Sequence, residues 1–165
     1  PFFIRGGNER TKYFQPNERR AIFSKLYYFT LNCEIKYKSF VFRKAEYENS
    51  FKLEARMARD ISQFIRENLS YFQGFEKVIL YYDNGQHELN RILNTVLATQ
   101  LADYDVRKVI PNEYRLFQVA DLICTLELLK VKAERGKLSN SEERIFHSVR
   151  DLKKDFLKGI HKKEF

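Results

Sequence analysis

The run Val78-Ile79-Leu80-Tyr81-Tyr82 constrains the fold of this chain more than any other stretch. Five apolar or aromatic residues follow one another with no polar residue between them, and Asp83-Asn84-Gly85 then cuts the run off. A strand with one face in water alternates apolar and polar residues. A short run without alternation reads as a strand covered on both faces. The Asn-Gly pair is also a hairpin signal, but the residues after it decide against a hairpin. Leu89, Ile92, Leu93, Val96, Leu97 and Leu101 recur at helical spacing, so 83–85 reads as a strand-to-helix turn.

The rest of the sequence alternates in the same way. Residues 1–16, with Gly6, Gly7 and Pro16, show no period and read as a connecting segment. Asn17 is placed to cap a helix carrying Ile22, Leu26 and Phe29, which runs to about 31. Residues 34–43 alternate and predict a half-buried strand with Cys33, Ile35, Tyr37 and Val41 on one face. Leu53, Met57, Ile61, Phe64 and Ile65 give a helix over about 50–71, before Gly74. A short strand over 104–110 ends at Pro111, and a long helix over 113–135 stops at Gly136. Ser139 with Glu142 forms a capping box opening a last helix to about 158. Strands alternating with helices predict an α/β layer with a largely parallel sheet. The 165 residues suit a single domain over 1–165.

Charge narrows the partners. Lys and Arg number 30 against 22 Asp and Glu, a net charge of +8 with neutral histidines. That surplus favours a polyanionic partner: nucleic acid, nucleotide or acidic lipid. It is densest at Arg150, Lys153, Lys154, Lys158, Lys162 and Lys163. The competing reading of this run is a solvated helix face and a basic tail. Basic and aromatic residues interleave over 36–43, where the strand reading outweighs a base-stacking surface. No apolar run approaches the roughly 18 residues of a membrane span. Two cysteines, Cys33 and Cys124, exclude a disulfide scaffold and suit a reducing cytoplasm. Homo-oligomerisation or a protein partner stays open.

Two acids stand out. Asp83 falls at the carboxyl end of the apolar strand, the edge where open α/β sheets collect ligands and catalytic groups; the competing role is to serve the turn or cap the next helix. Asp121 lies in Phe117-Gln118-Val119-Ala120-Asp121-Leu122-Ile123-Cys124-Thr125-Leu126, apolar around nearly the whole helix apart from Gln118, Asp121 and Thr125. The expectation is a buried carboxylate, which needs a cation, a network or protonation. A pair with Arg115 or another base is the competing reading. Asp83 and Asp121 as oxygen ligands suit Mg²⁺ or Mn²⁺, hard ions that keep several waters. With such ions, they would supply phosphodiester cleavage. Gln118 would orient a water or a phosphate oxygen. No glycine-rich nucleotide loop follows the central strand, which disfavours a Rossmann-like binder.

Three segments together resemble the DUF3800 family of bacterial and phage proteins: Tyr81-Tyr82-Asp83-Asn84-Gly85-Gln86, Glu113 through Cys124, and Arg150-Asp151-Leu152-Lys153-Lys154-Asp155-Phe156. The resemblance implies a ribonuclease H-like mixed sheet flanked by helices. It also implies acids at three places, two of which match Asp83 and Asp121. The first, an Asp-Glu-Ser-Gly motif on an N-terminal strand, is not in this sequence, so the expectation is a chain starting after the first strand or strands. The implied function is a metal-dependent nuclease or phosphoryl-transfer enzyme. The alternative is a non-catalytic nucleic-acid- or partner-binding module of the same fold.

Overall fold

The computed structural model describes residues 15–82, 87–110 and 114–165. The chain divides into two compact units: Phe40–Tyr114 forms one, and the residues up to Ser39 with Arg115–Phe165 form the other.

In the unit Phe40–Tyr114 the elements are α2 (Ser50–Glu67), α3 (Leu69–Gln73), β1 (Val78–Tyr82), α4 (His87–Gln100) and β2 (Tyr104–Lys108); α1 (Pro16–Asn32) belongs to the other unit. Asn49 starts α2 by accepting the Lys52 N–H on its side-chain oxygen at 2.9 Å. Asn68 ends it: the side-chain amide of Asn68 donates to the Phe64 carbonyl at 2.9 Å, competing for a helical acceptor. That break splits the helix expected over 50–71 into two. Ile61 and Ile65 of α2 pack with Ile92, Val96 and Leu97 of α4 and with Leu101, while Val78, Leu80 and Tyr104 border this core. β1 and β2 pair in parallel, Val78 opposite Tyr104 through Tyr82 opposite Lys108, with α4 as the crossover.

The protein is thus mixed α/β and predominantly helical, with a two-stranded parallel sheet among the described residues. This corrects the expectation of a central strand covered on both faces. No residue of β1 is fully buried, and Tyr81 is exposed. The unbroken apolar run made the strand, but α4 covers one side of a narrow sheet.

In the other unit, α1 (Pro16–Asn32), α5 (Arg115–Glu134), α6 (Asn140–Phe146) and the helical run 149–163 surround one core. Phe23 of α1 meets Phe146 and Phe156, and Tyr27 meets Phe156, in edge-on aromatic contacts with ring centroids 5.0 to 5.2 Å apart. α1 starts at Gln15, whose N–H donates to the Glu18 carboxylate at 2.7 Å. The capping box expected at the other end of the unit is present. Ser139 Oγ accepts from the Glu142 N–H, and Glu142 accepts the Ser139 N–H at 2.8 Å. The last helix does not run through. It breaks at His147, whose φ of 63° is left-handed, and Ser148 then caps a new start by accepting the Asp151 N–H at 3.0 Å.

The strand expected over 34–43 is not formed. Tyr37 makes a single parallel bridge to Glu164, donating its N–H to Lys163 and accepting from Phe165 N–H. The physical reason is the unit boundary. Tyr37 is buried in one core, while Phe40, on the other side of that boundary, packs in the second against Phe64. An extended segment whose ends serve different cores finds no partner strand along its length among the described residues.

Candidate nucleic-acid interface

The run 149–163 comprises an α turn (Val149–Asp151), a π turn (Leu152–Leu157), a second α turn (Lys158–Ile160) and a 3-10 turn (His161–Lys163). In the π turn the Lys158 N–H reaches back to the Lys153 carbonyl. Such wide turns are rare and occur mostly singly. The wide turn suits a four-residue spacing. Leu152, Phe156 and Ile160 all face the core, and Arg150, Lys154 and Lys158, with Lys153, all face solvent.

Those four cations and Val149 line one shallow, open depression. The two acids on the same helical run are engaged elsewhere. Asp151 accepts the Ser148 hydroxyl at 2.7 Å within the cap. Asp155 accepts from Arg20 at 3.1 Å. Arg20 is itself anchored: it donates to the Ile145 carbonyl at 2.9 Å and sits 5.4 Å over the Phe156 ring. Among the described residues, no ion pair involves Arg150, Lys153, Lys154 or Lys158. Lys163, part of the same sequence cluster, has a structural role instead, donating to the Cys33 carbonyl at 2.6 Å.

The acids expected to hold a metal fare differently. Asp83 follows β1 directly in sequence and lies outside the described residues. Asp121 is on α5 and is exposed, which corrects the expectation of a buried carboxylate. α5 buries Val119, Leu122, Ile123, Leu126 and Leu129 along one face. Cys124, read as part of an all-round apolar helix, is exposed too, as are Leu116 and Leu128 elsewhere on α5. Apolar residues often stay at the surface, so an apolar sequence does not fix which side is covered. Gln118 is half-buried. Thr125, from the same predicted arc, has a buried hydroxyl with no hydrogen-bond partner among the described residues. The Cys124 thiol is pushed up in pKa by the protein crowded around it, with the Asp121 charge adding, so it is held as a thiol rather than a nucleophilic thiolate. His147 is exposed at the helix break.

Among the described residues no group of three or more His, Cys, Asp or Glu side chains is arranged to hold a metal ion. Of the two ligands expected for Mg²⁺ or Mn²⁺, they supply only Asp121.

The sequence reading missed Glu127. It is buried in α5 among leucines, 6% exposed, with three polar side chains around it. The Tyr37 hydroxyl donates to it at 2.9 Å, His161 Nε2 lies 3.2 Å away, and Lys130 Nζ is 3.5 Å away. Burial, then the bond to Glu127 and its charge, push the Tyr37 phenol well above its ordinary pKa. Leu126-Glu127-Leu128-Leu129 carried the signal, since a lone charge between leucines on the predicted helix is the same anomaly that drew attention to Asp121. Glu127 ties the segment around Tyr37 and the end of the basic helical run to α5. It therefore helps fix the helix that bears the cationic face.

Among the described residues no helix is long and apolar enough to cross a membrane. Comparison with protein-family models, with curated proteins and with solved structures finds no match.

Proposed function

We propose that this chain binds nucleic acid through its phosphate backbone, using Arg150, Lys153, Lys154 and Lys158. The observation that carries this reading is the division of charge on one helical run: the cations face solvent together, and both acids are occupied elsewhere. Among the described residues no aromatic side chain lines the depression, so the contact is to phosphates without base stacking or sequence readout. Both cysteines are free, which suits a cytoplasmic setting. Fluorescence anisotropy with labelled duplex and single-stranded oligonucleotides tests the proposal. Binding that weakens steeply with salt, and weakens further on loss of Lys153 and Lys154, supports it. Absence of binding at low salt overturns it.

The second reading is the metal-dependent nuclease of the ribonuclease H-like, DUF3800-type fold. One observation favours it: Asp121 is exposed, where a hydrated Mg²⁺ or Mn²⁺ can reach it. On this reading Asp121 would be an ion ligand, and the ion would supply an activated water and charge neutralisation at the phosphate. Asp83→Asn and Asp121→Asn should each abolish Mn²⁺-dependent cleavage by the protein while leaving its circular dichroism unchanged. Cleavage that persists in both variants removes this reading and leaves the binding module.

A further inference from the structure

Between Arg150 and Lys158, Asp155 is the one acid among the exposed side chains. It stands beside Lys154 in sequence and three positions before Lys158, a spacing at which side chains on a helical run meet. Left unheld, its carboxylate is the anion closest along the run to Lys158. The two would pair, and a phosphate would have to displace Asp155 before using that lysine. The face would then offer three cations and not four.

The structure gives Asp155 a different partner. Arg20 Nη2, on α1, donates to the Asp155 carboxylate at 3.1 Å. The Arg20 guanidinium is already fixed from two other directions. Its Nη1 donates to the Ile145 carbonyl at 2.9 Å, and the group sits 5.4 Å over the Phe156 ring. Order decides which cation keeps the acid. A pair between two exposed side chains gains little, because both must be immobilised to form it. Lys158 would bring a mobile stem to such a pair. The Arg20 side chain is 23% exposed and already ordered, so it loses less freedom in holding the carboxylate. Asp151, the other acid of the run, accepts the Ser148 hydroxyl within its own cap.

We propose that Arg20 is a positioning residue for the phosphate-binding face: it acts by holding Asp155 off Lys158, without itself touching the nucleic acid. This rests on the nucleic-acid reading above, and adds to it an internal competitor and the residue that restrains it. A ligand phosphate and Asp155 compete for one ammonium. The acid therefore sets how many phosphates the face takes up: four when Arg20 holds it, three when it is free. Binding then depends on α1 as well as on the run that bears the cations, since the restraint comes from 135 positions earlier in the chain.

A double-mutant cycle, read by anisotropy with a labelled duplex at several salt concentrations, tests the proposal. Its members are the native chain, Arg20→Gln, Asp155→Asn and the two substitutions together. Glutamine keeps an N–H for the Ile145 carbonyl and loses the charge that holds Asp155. With four contacts, the native chain and Asp155→Asn should each weaken about 150-fold between about 50 and about 200 mM salt. Arg20→Gln, with three contacts left, should weaken about 40-fold, and adding Asp155→Asn should return it to about 150-fold. If Arg20 contributed only its positive charge, the two substitutions would add, and Asp155→Asn would act equally in both backgrounds. That additive result overturns the proposal, as does an Arg20→Gln chain with the native salt dependence. Should Arg20→Gln fail to fold in thermal melts, Arg20→Lys takes its place in the cycle, since a compact ammonium lacks the fork that spans carbonyl and carboxylate. A native chain that does not bind duplex at low salt removes the nucleic-acid reading and this proposal together. A native chain that binds with the steep slope while the cycle is additive removes this proposal alone.

Discussion

Replacing Lys153 and Lys154 together by alanine should halve the salt dependence of nucleic-acid binding. Each phosphate neutralised by a cation releases counterions, giving a slope in log K against log salt of about −0.9 per contact on duplex and about −0.7 on single strands. Four contacts, from Arg150, Lys153, Lys154 and Lys158, give about −3.6 on duplex and about −2.8 on single strand. Raising salt from about 50 to about 200 mM then weakens duplex binding about 150-fold in the native chain and about 12-fold in the double variant. Both lysines are exposed and outside any ion pair among the described residues, so the fold should be untouched; matching thermal melts would check this. Anisotropy titrations at several salt concentrations give both slopes. A native slope near zero, or a double variant with the native slope, refutes the assignment of the backbone contact to this helix.

Removing the Tyr37 hydroxyl with Tyr37→Phe takes a buried donor from Glu127 and should cost about 1–3 kcal/mol in urea unfolding. The same variant should lose an alkaline limb. The folded chain holds the Tyr37 proton more tightly than the unfolded chain, so this stabilisation is complete below the ordinary phenol value of about 10 and is lost as pH rises above it. Glu142 acts in the opposite sense. Burial raises its pKa, but the Lys132 ammonium and the Ser139 N–H and hydroxyl outweigh burial and hold the carboxyl below its ordinary value. Its contribution is present above about pH 4.3 and fades as pH falls through the folded value, so Glu142→Gln should flatten the acid limb of the stability profile. A Cβ at Gly159 would run into the Tyr27 hydroxyl, so Gly159→Ala should cost about 1–3 kcal/mol. Adding Tyr27→Phe should return part of that loss in thermal melts, which a purely local helix effect would not do.

What the sequence made legible was local. The helical repeats of α2 and α4, the Ser139 capping box and the apolar strand Val78–Tyr82 each depend on neighbours a few residues away, and each formed. What it hid depended on distant partners. The alternation over 34–43 was real, since Tyr37 is buried, but a strand needs a neighbour along its whole length and only 163–165 pass beside it. Asp121 and Glu127 lie on one helix among similar leucines, and the tertiary environment alone made the first exposed and the second buried. The cluster at Arg150, Lys153 and Lys154 was legible as charge. That its acids are occupied elsewhere was not, because Arg20 reaches Asp155 from 135 positions away in sequence.

The allocation of cations explains why Arg150, Lys153, Lys154 and Lys158 stay available together on one helical run. Arg20 is fixed by the Ile145 carbonyl, Asp155 and the Phe156 ring. Lys130 stands beside Glu127, Lys132 donates to Glu142 at 2.6 Å, and Lys163 closes on Cys33. Each of these cations is committed to holding the unit that α1, α5 and the C-terminal helical run build. Along that run, every fourth residue from Leu152 turns inward, and the acids are taken by Ser148 and Arg20. The four cations of this run that point away from the core therefore keep their charge exposed. Exposed cations on this helical run, outside any ion pair among the described residues, are ones that phosphates can meet without first breaking an internal ion pair.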